Sequence, residues 1–558
     1  MAFPLALAAQ WPGELPLKHA GGPTVPGITA ADLMTRVYLY ADDSLMGRAV
    51  GSIYNVRATQ YIGNELQRLG LQPAGDNGTF YQDIPLGFRH LDSASTLTVG
   101  GRTLRAGVDF LATASGAPRQ LRNAQVIFGG AALDTVGLPA QGSWDGKVVL
   151  LTRFTPTQGF DFQKFQSSTG FQRYMSLTEK ATIVNIAGDS FSAAQVRNAM
   201  AGTNASFLQP GDGSLSLTVT NSGAEQLLGR PLAGARRGQT GQRVSSDVRI
   251  NETRQSLGRN VIAIIPGSDP ALRGQYVAIG AHNDHVGFSQ RPVDHDSMRF
   301  FNRVVRPQGA DSPNRRATDE EMSQINALLD SVRRIQPPRQ DSIFNGADDD
   351  GSGLMGLLEL AEAMNSSPEK PRRSILFVWH TGEERGLWGS NYFTAHPTVA
   401  RDSIVAQLNM DMISRGAPED IAGSNLWDEP LHGDHRYLQV VGSRRLSTEL
   451  GDIIDAVNGI RERPFRLDYA IDANGHPQNI YCRSDHYEYA KYGIPIAFFT
   501  TGGHSDYHQV TDEAQYIRYD HMADVVRLIH DVAWKVGNLD HRPLVDHPVP
   551  DMKLGCRQ

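Results

Sequence analysis

The chain has 558 residues, 40% of them hydrophobic and 20% charged, a composition that suits a soluble globular protein with room for about two to four domains. Its formal net charge of −7 argues against nucleic acid as the main partner, which would need a basic face. No apolar run reaches the roughly 18 residues needed to cross a bilayer, so no membrane span is expected. Residues 1–29 form an N-terminal segment whose first eleven residues are apolar and end in small side chains, like the back half of a secretory signal without its basic leader. Residues 30–88 carry apolar side chains at helical spacing and then Gly70 and Gly75 as stops, which predicts a helix followed by a turn. From 119 to 247 the chain is rich in Gly, Ser and Thr, with short runs such as AQVIFGG, KVVLLTRF and ATIVNIAG, and reads as a separate, mainly β module.

From 248 to 545 strand-like and helix-like segments alternate. NVIAIIPG, YVAIGAH, SILFVWH, SIVAQLNMDM and IPIAFFT read as buried strands, and GSGLMGLLELAEAM and MADVVRLIHDVAWKVG as helices. That pattern predicts an α/β fold with a mixed sheet flanked by helices on both faces, whose ligands sit beyond strand ends. Residues 288–344 break the pattern; they are polar, Arg-rich and partly helical, and read as an insertion near the site, either a lid or a solvated excursion. Residues 546–558 are a tail. The two cysteines, Cys482 and Cys556, are too few for a disulfide framework or a thiolate metal site, and they permit one bridge. Any metal must therefore be held by histidines and carboxylates.

Five short segments end a predicted strand or open a helix with such residues: His282 and Asp284, the triplet Asp348, Asp349 and Asp350, Glu383 and Glu384, Asp411, and His508. Singly, each has an ordinary explanation. A histidine after a strand is usually structural, an aspartate before Gly-Ser-Gly caps a helix, and a Glu pair at a turn is usually solvated. Asp411 is less ordinary, because its neighbours are apolar and a buried carboxylate needs a partner. Together the set offers nitrogen and oxygen donors suited to zinc, and also to manganese or cobalt. A carboxylate-rich site with open positions points to hydrolysis.

In this order the five segments resemble the M28 family of zinc exopeptidases, over about 248–540 and part of 30–118, and the module at 119–247 resembles a protease-associated domain. The resemblance implies a two-zinc aminopeptidase acting on peptides, exported from the cytoplasm, with residues 30–118 as the first part of the peptidase domain. It implies that Asp349 bridges the metals, that His282 and Asp411 hold one and Glu384 and His508 the other, and that a cis peptide follows Asp349. It gives Glu383 the role of general base toward a metal-activated bridging water, and Tyr481 that of a donor to the tetrahedral intermediate, with Tyr507 as a competing position. Asp284, two residues after His282 and on the same face if the strand continues, is expected to orient that imidazole. His285, His380, His396, His486 and His504 read as structural or supporting residues. The cysteine pair that flanks the tyrosine in some relatives is absent; only Cys482 lies nearby. Three further readings stay open: a glutamate carboxypeptidase-like enzyme using Arg303, Arg306, Arg315 and Arg316, a one-zinc glutaminyl cyclase-like enzyme, and a non-catalytic receptor-like binder.

Overall fold

The computed structural model describes residues 15–551, 556 and 558, except 115, 157–159, 161–164, 166–167, 203–204, 209–211 and 256. The apolar leader of the first eleven residues lies outside them. The chain divides into two compact units, one of residues 1–84 with 257–558 and one of Pro85–Ser256.

The first unit is built on a nine-stranded mixed sheet. Its strands are β1 (Gln72–Pro73), β2 (Tyr81–Asp83), β3 (Arg259–Ile265), β4 (Tyr276–His282), β5 (Ser374–His380), β6 (Ile404–Met410), β7 (Tyr437–Val441), β8 (Arg466–Asp468) and β9 (Ile496–Thr500). The order is β1-β3-β5-β4-β6-β9-β7-β8, with β2 also pairing β3. The neighbours β5, β4, β6 and β9 are mutually parallel, so their carboxyl ends share one edge. The helices are α1 (Ala30–Tyr40), α2 (Ile53–Leu69), α3 (His295–Val305), α4 (Asp319–Arg333), α5 (Gly351–Ser366), α6 (Trp388–Ala395), α7 (Thr448–Gly459), α8 (His486–Ala490) and α9 (Tyr519–Gly537). Local sequence sets their ends: Ser52 caps α2 by accepting from Asn55 N, and Gly70 closes it at φ 74°.

The central strands β3, β4, β5, β6 and β9 are buried on both faces, which is why they read as mainly apolar runs. Val277, Ile279 and Ala281 of β4 face a core shared with α1, α2, α5, α7 and α9. Ala278 faces the opposite cluster, where Phe393 of α6 and Tyr487 and Tyr489 of α8 pack. Helix α5 is apolar around most of its circumference because it is buried almost throughout, as such a sequence requires. The segment 288–344 is ordered: strands Phe288–Asp294 and Gln340–Ile343 pair antiparallel, and α3 and α4 pack through Phe300, Val305, Ile325 and Val332. Cys482 and Cys556 form a disulfide. No helix among the described residues is long and apolar enough to cross a membrane.

The second unit is an eight-stranded mixed sheet around a core that includes Val126, Phe128, Val148, Leu150, Val184 and Leu217, with helices at Thr169–Thr178, Ala193–Ala201 and Asn221–Leu228. It extends further on both sides than residues 119–247. Strands Thr96–Val99, Arg102–Arg105 and Phe110–Ala114 belong to this sheet, and Leu86–Leu91 pairs with Ala205–Phe207 and Ile250–Arg254.

Candidate active site

The parallel edge places every chemistry-bearing segment at one end of the sheet. His282 is the last residue of β4, Asp411 follows β6, Glu383 and Glu384 follow β5, and the loop after β9 carries His508. The aspartate triplet lies at the start of α5, and its three members do different work. Asp350 caps α5 through Gly353 N (2.9 Å) and also accepts from His282 N (3.0 Å) and Met412 N (3.3 Å), tying three segments together. Asp348 accepts from Ser352 Oγ and Ser414 Oγ, and its Oδ2 lies 3.0 Å from His504 Nε2. Asp349 is left to face the site. Its amide and that of Asp348 donate to the Asp512 carboxylate, and the Asp349–Asp350 peptide is cis.

Asp349 presents one oxygen to each imidazole: Oδ1 lies 3.1 Å from His282 Nε2, and Oδ2 lies 3.0 Å from His508 Nε2. Asp411 Oδ1 is 3.7 Å from His282 Nε2, and Glu384 Oε2 is 2.9 Å from His508 Nε2. Two overlapping groups result, His282–Asp349–Asp411 and His285–Asp349–Glu384–His508, each with its donor atoms within 4.8 Å of one another. Two buried carboxylates, Asp349 and Asp411, and the half-buried Glu384 around two imidazoles demand compensating positive charge. The donors are nitrogen and oxygen without sulfur, a set that fits zinc, manganese or cobalt.

The electrostatics agree. Burial alone would raise the Asp349 carboxyl, but hydrogen bonds to His282 and His508 hold it well below the usual range. Burial opposes charge on His508 too, yet Glu384 and Asp349 push it up to about 11. Glu383 is driven the other way: burial, with Asp411 and Glu384 nearby, raises it well above an ordinary carboxyl. Glu383 lines the cleft with Asp349, Asp411 and His508. Gly382, at φ 72°, makes the turn that presents it, and a Cβ there would sit 3.0 Å from Trp388 Cβ.

Several sequence expectations are corrected. The Asp284 carboxylate does not orient His282, because β4 ends at His282 and the alternation is lost. The backbone carbonyl of Asp284 lies 3.1 Å from His282 Nδ1, and the carboxylate, 3.9 Å away, instead accepts from Glu383 N at 3.1 Å. Tyr481 is not brought to the site. It is 3% exposed, packed against Tyr487 and His486 beneath the Arg445 guanidinium, and Ile480 takes the cleft wall. Tyr507 lines the cleft, stacks on His508, and accepts from Arg483 Nη2 at 3.1 Å. None of Arg303, Arg306, Arg315 and Arg316 lines the cleft; Arg315 is paired with Glu321. The cleft's cation is Arg483, paired at 2.7 Å with Asp311 of the insertion. His285 belongs to the Glu384 group. Among the other histidines, His380 contacts Tyr489 Oη, His396 stacks on Tyr392, and His486 is buried on Phe498.

An α/β unit that gathers imidazoles and carboxylates beyond its parallel strands has the architecture of a metal-dependent hydrolase. The model of Peptidase family M28 matches residues 260–533, the stretch that holds all of these segments. That stretch is a peptidase family M28 domain. Leucine aminopeptidase 1 of Fusarium vanettenii is 27% identical over 234 residues, which is 39% of this chain and 52% of that protein. The corresponding protein of Aspergillus oryzae is 27% identical over 200 residues, 34% of this chain and 47% of it. The chain spans about half the length of the curated relatives it matches. Among solved structures, BSAP, a zinc aminopeptidase from Bacillus subtilis, aligns over 94% of this chain and 100% of its own, at 14% identity and a TM-score of 0.45.

Proposed function

We propose that this chain is a two-zinc aminopeptidase that hydrolyses the N-terminal bond of peptides. The observation that carries the reading is Asp349, whose two carboxylate oxygens face separate imidazoles, each imidazole accompanied by its own terminal carboxylate. In this reading His282, Asp349 and Asp411 hold one ion, and Asp349, Glu384 and His508 the other. Divalent ions held there would supply a water acidified toward a pKa of about 7 and Lewis acidity toward the scissile carbonyl. Glu383 takes the proton from the attacking water and passes it to the leaving amine. Its carboxyl, raised by burial, is basic enough for that transfer. Tyr507 is placed to donate to the developing oxyanion, with Arg483 donating to its hydroxyl and so fixing the direction of its proton. Met412, Ile480 and Phe498 give the cleft an apolar wall for a side chain.

The names of the relatives, leucine aminopeptidases, support this choice over a carboxypeptidase. So does the neutralisation of Arg483 by Asp311, which leaves the cleft's cation committed rather than open to a substrate carboxylate. The disulfide supports export, since such bonds persist in oxidising compartments. Glu383→Gln protein is expected to keep two bound metals and lose nearly all turnover on aminoacyl chromogens, while N-blocked dipeptides remain uncleaved by the wild type. Near wild-type activity in Glu383→Gln removes the assigned base, and cleavage of blocked dipeptides reverses the choice of peptide end.

A further inference from the structure

We propose that His285 is a positioning residue for Glu384, its Nδ1–H holding carboxylate oxygen Oε1 so that only Oε2 turns toward His508 and Asp349. This rests on the metal reading above and adds a residue to it. The contact is 2.6 Å, from His285 Nδ1 to Glu384 Oε1. It is shorter than the 2.9–3.7 Å that separate the imidazole nitrogens from the carboxylate oxygens of the assigned ligands, and it has the length of a charge-assisted hydrogen bond. A carboxylate offers only lone pairs, so Nδ1 carries the hydrogen. His285 Nε2 is buried with no hydrogen-bond partner among the described residues, which leaves Nδ1 as the ring's engaged nitrogen.

The other half of the site is built the same way. Asp411 points Oδ1 at His282 while its Oδ2 accepts from Ser484 Oγ at 2.7 Å. Each terminal carboxylate thus has one oxygen facing the imidazole of its group and one held by a side-chain donor. A free second oxygen would swing in and take a coordination position that substrate needs; a donor on it prevents the swing. The His285 ring is itself fixed. Gly346, at φ 54°, lies under it so closely that a Cβ would come within 2.6 Å of His285 Cδ2, and His508 packs against it edge-on with 5.4 Å between ring centroids.

The test uses the full chain and zinc alone, with affinities read by competition against a chromogenic chelator. His285→Ala is expected to weaken one of two bound ions by about 10–100-fold and to leave the other little changed. His285→Asn, whose amide N–H lies where Nδ1–H lies, is expected to restore most of that loss. In zinc-loaded wild-type crystals, Nδ1 should lie more than about 3 Å from the ion and stay hydrogen-bonded to Oε1. Two ions bound at wild-type strength by His285→Ala would overturn the proposal and leave the metal reading standing. So would Nδ1 at a coordination distance of about 2.1 Å, which makes His285 a ligand that asparagine cannot replace. Wild-type protein that takes up no ion at Glu384 would overturn both readings together.

Discussion

Metal binding here should be coupled to proton release, and the strength of that coupling follows from His508. Its imidazole sits between Glu384 and Asp349, at 2.9 and 3.0 Å, and its pKa is pushed up to about 11. A metal ligand must be a neutral imidazole, so the incoming ion displaces this proton. At pH 7 that displacement runs four units against the imidazole, about 5 kcal/mol taken from the intrinsic affinity at about 1.36 kcal/mol per unit. The sign follows: below its pKa His508 is protonated, so lowering the pH strengthens the competing proton and weakens the metal. Each ion's Kd should therefore fall about tenfold per pH unit between pH 6 and 8, because His282, also raised well above its ordinary value, plays the same part in the other group. Competition with a chelator of known pH dependence measures the slope. Calorimetry in two buffers of different ionisation enthalpy counts the protons, about one per ion. A Kd independent of pH, or binding without proton release, would refute the reasoning.

Four substitutions extend it. Ser484→Ala removes the donor to Asp411 Oδ2 and is expected to weaken the ion on the His282 side by about 10–100-fold in a chelator competition. Tyr507→Phe should lower kcat by about 10²–10³ if its hydroxyl serves the oxyanion, while Tyr481→Phe should turn over at nearly the wild-type rate; the reverse ranking in steady-state assays would return the role to Tyr481. Asp512→Ala strips the acceptor from the buried amides of Asp348 and Asp349 and leaves Arg415 with one fewer carboxylate, so denaturant unfolding should reveal a loss of about 1–3 kcal/mol per orphaned amide.

Much of the fold was legible because the central strands are buried on both faces. The runs at 260–265, 276–282, 374–380, 404–410 and 496–500 are mainly apolar, with Gln407 and Asn409 the polar residues inside one of them, and α5 and α9 carry long apolar faces. The chemistry-bearing segments were legible for a related reason: a polar residue directly after such a run stands at the sheet edge. What stayed hidden depends on side-chain direction rather than spacing. Asp284 was expected to share a face with His282, but β4 stops at His282, and the turn sends the carboxylate to the Glu383 amide. Tyr481 and Tyr507 both sit beside site residues in the chain, and only packing beneath Arg445 against contact with Arg483 distinguishes them. His285 is one more histidine in a histidine-rich segment until Glu384, 99 residues later, comes within 2.6 Å. Likewise, the short strands between 86 and 114 carry little apolar signal of their own, and their membership of the second unit appears only from their pairing.

The most direct measurement is anomalous diffraction at the zinc edge from crystals of the full chain grown with zinc. The account predicts two peaks, one bounded by His282, Asp349 and Asp411 and one by Asp349, Glu384 and His508, with Asp349 touching both. A single peak, or ions seated away from Asp349, would contradict it.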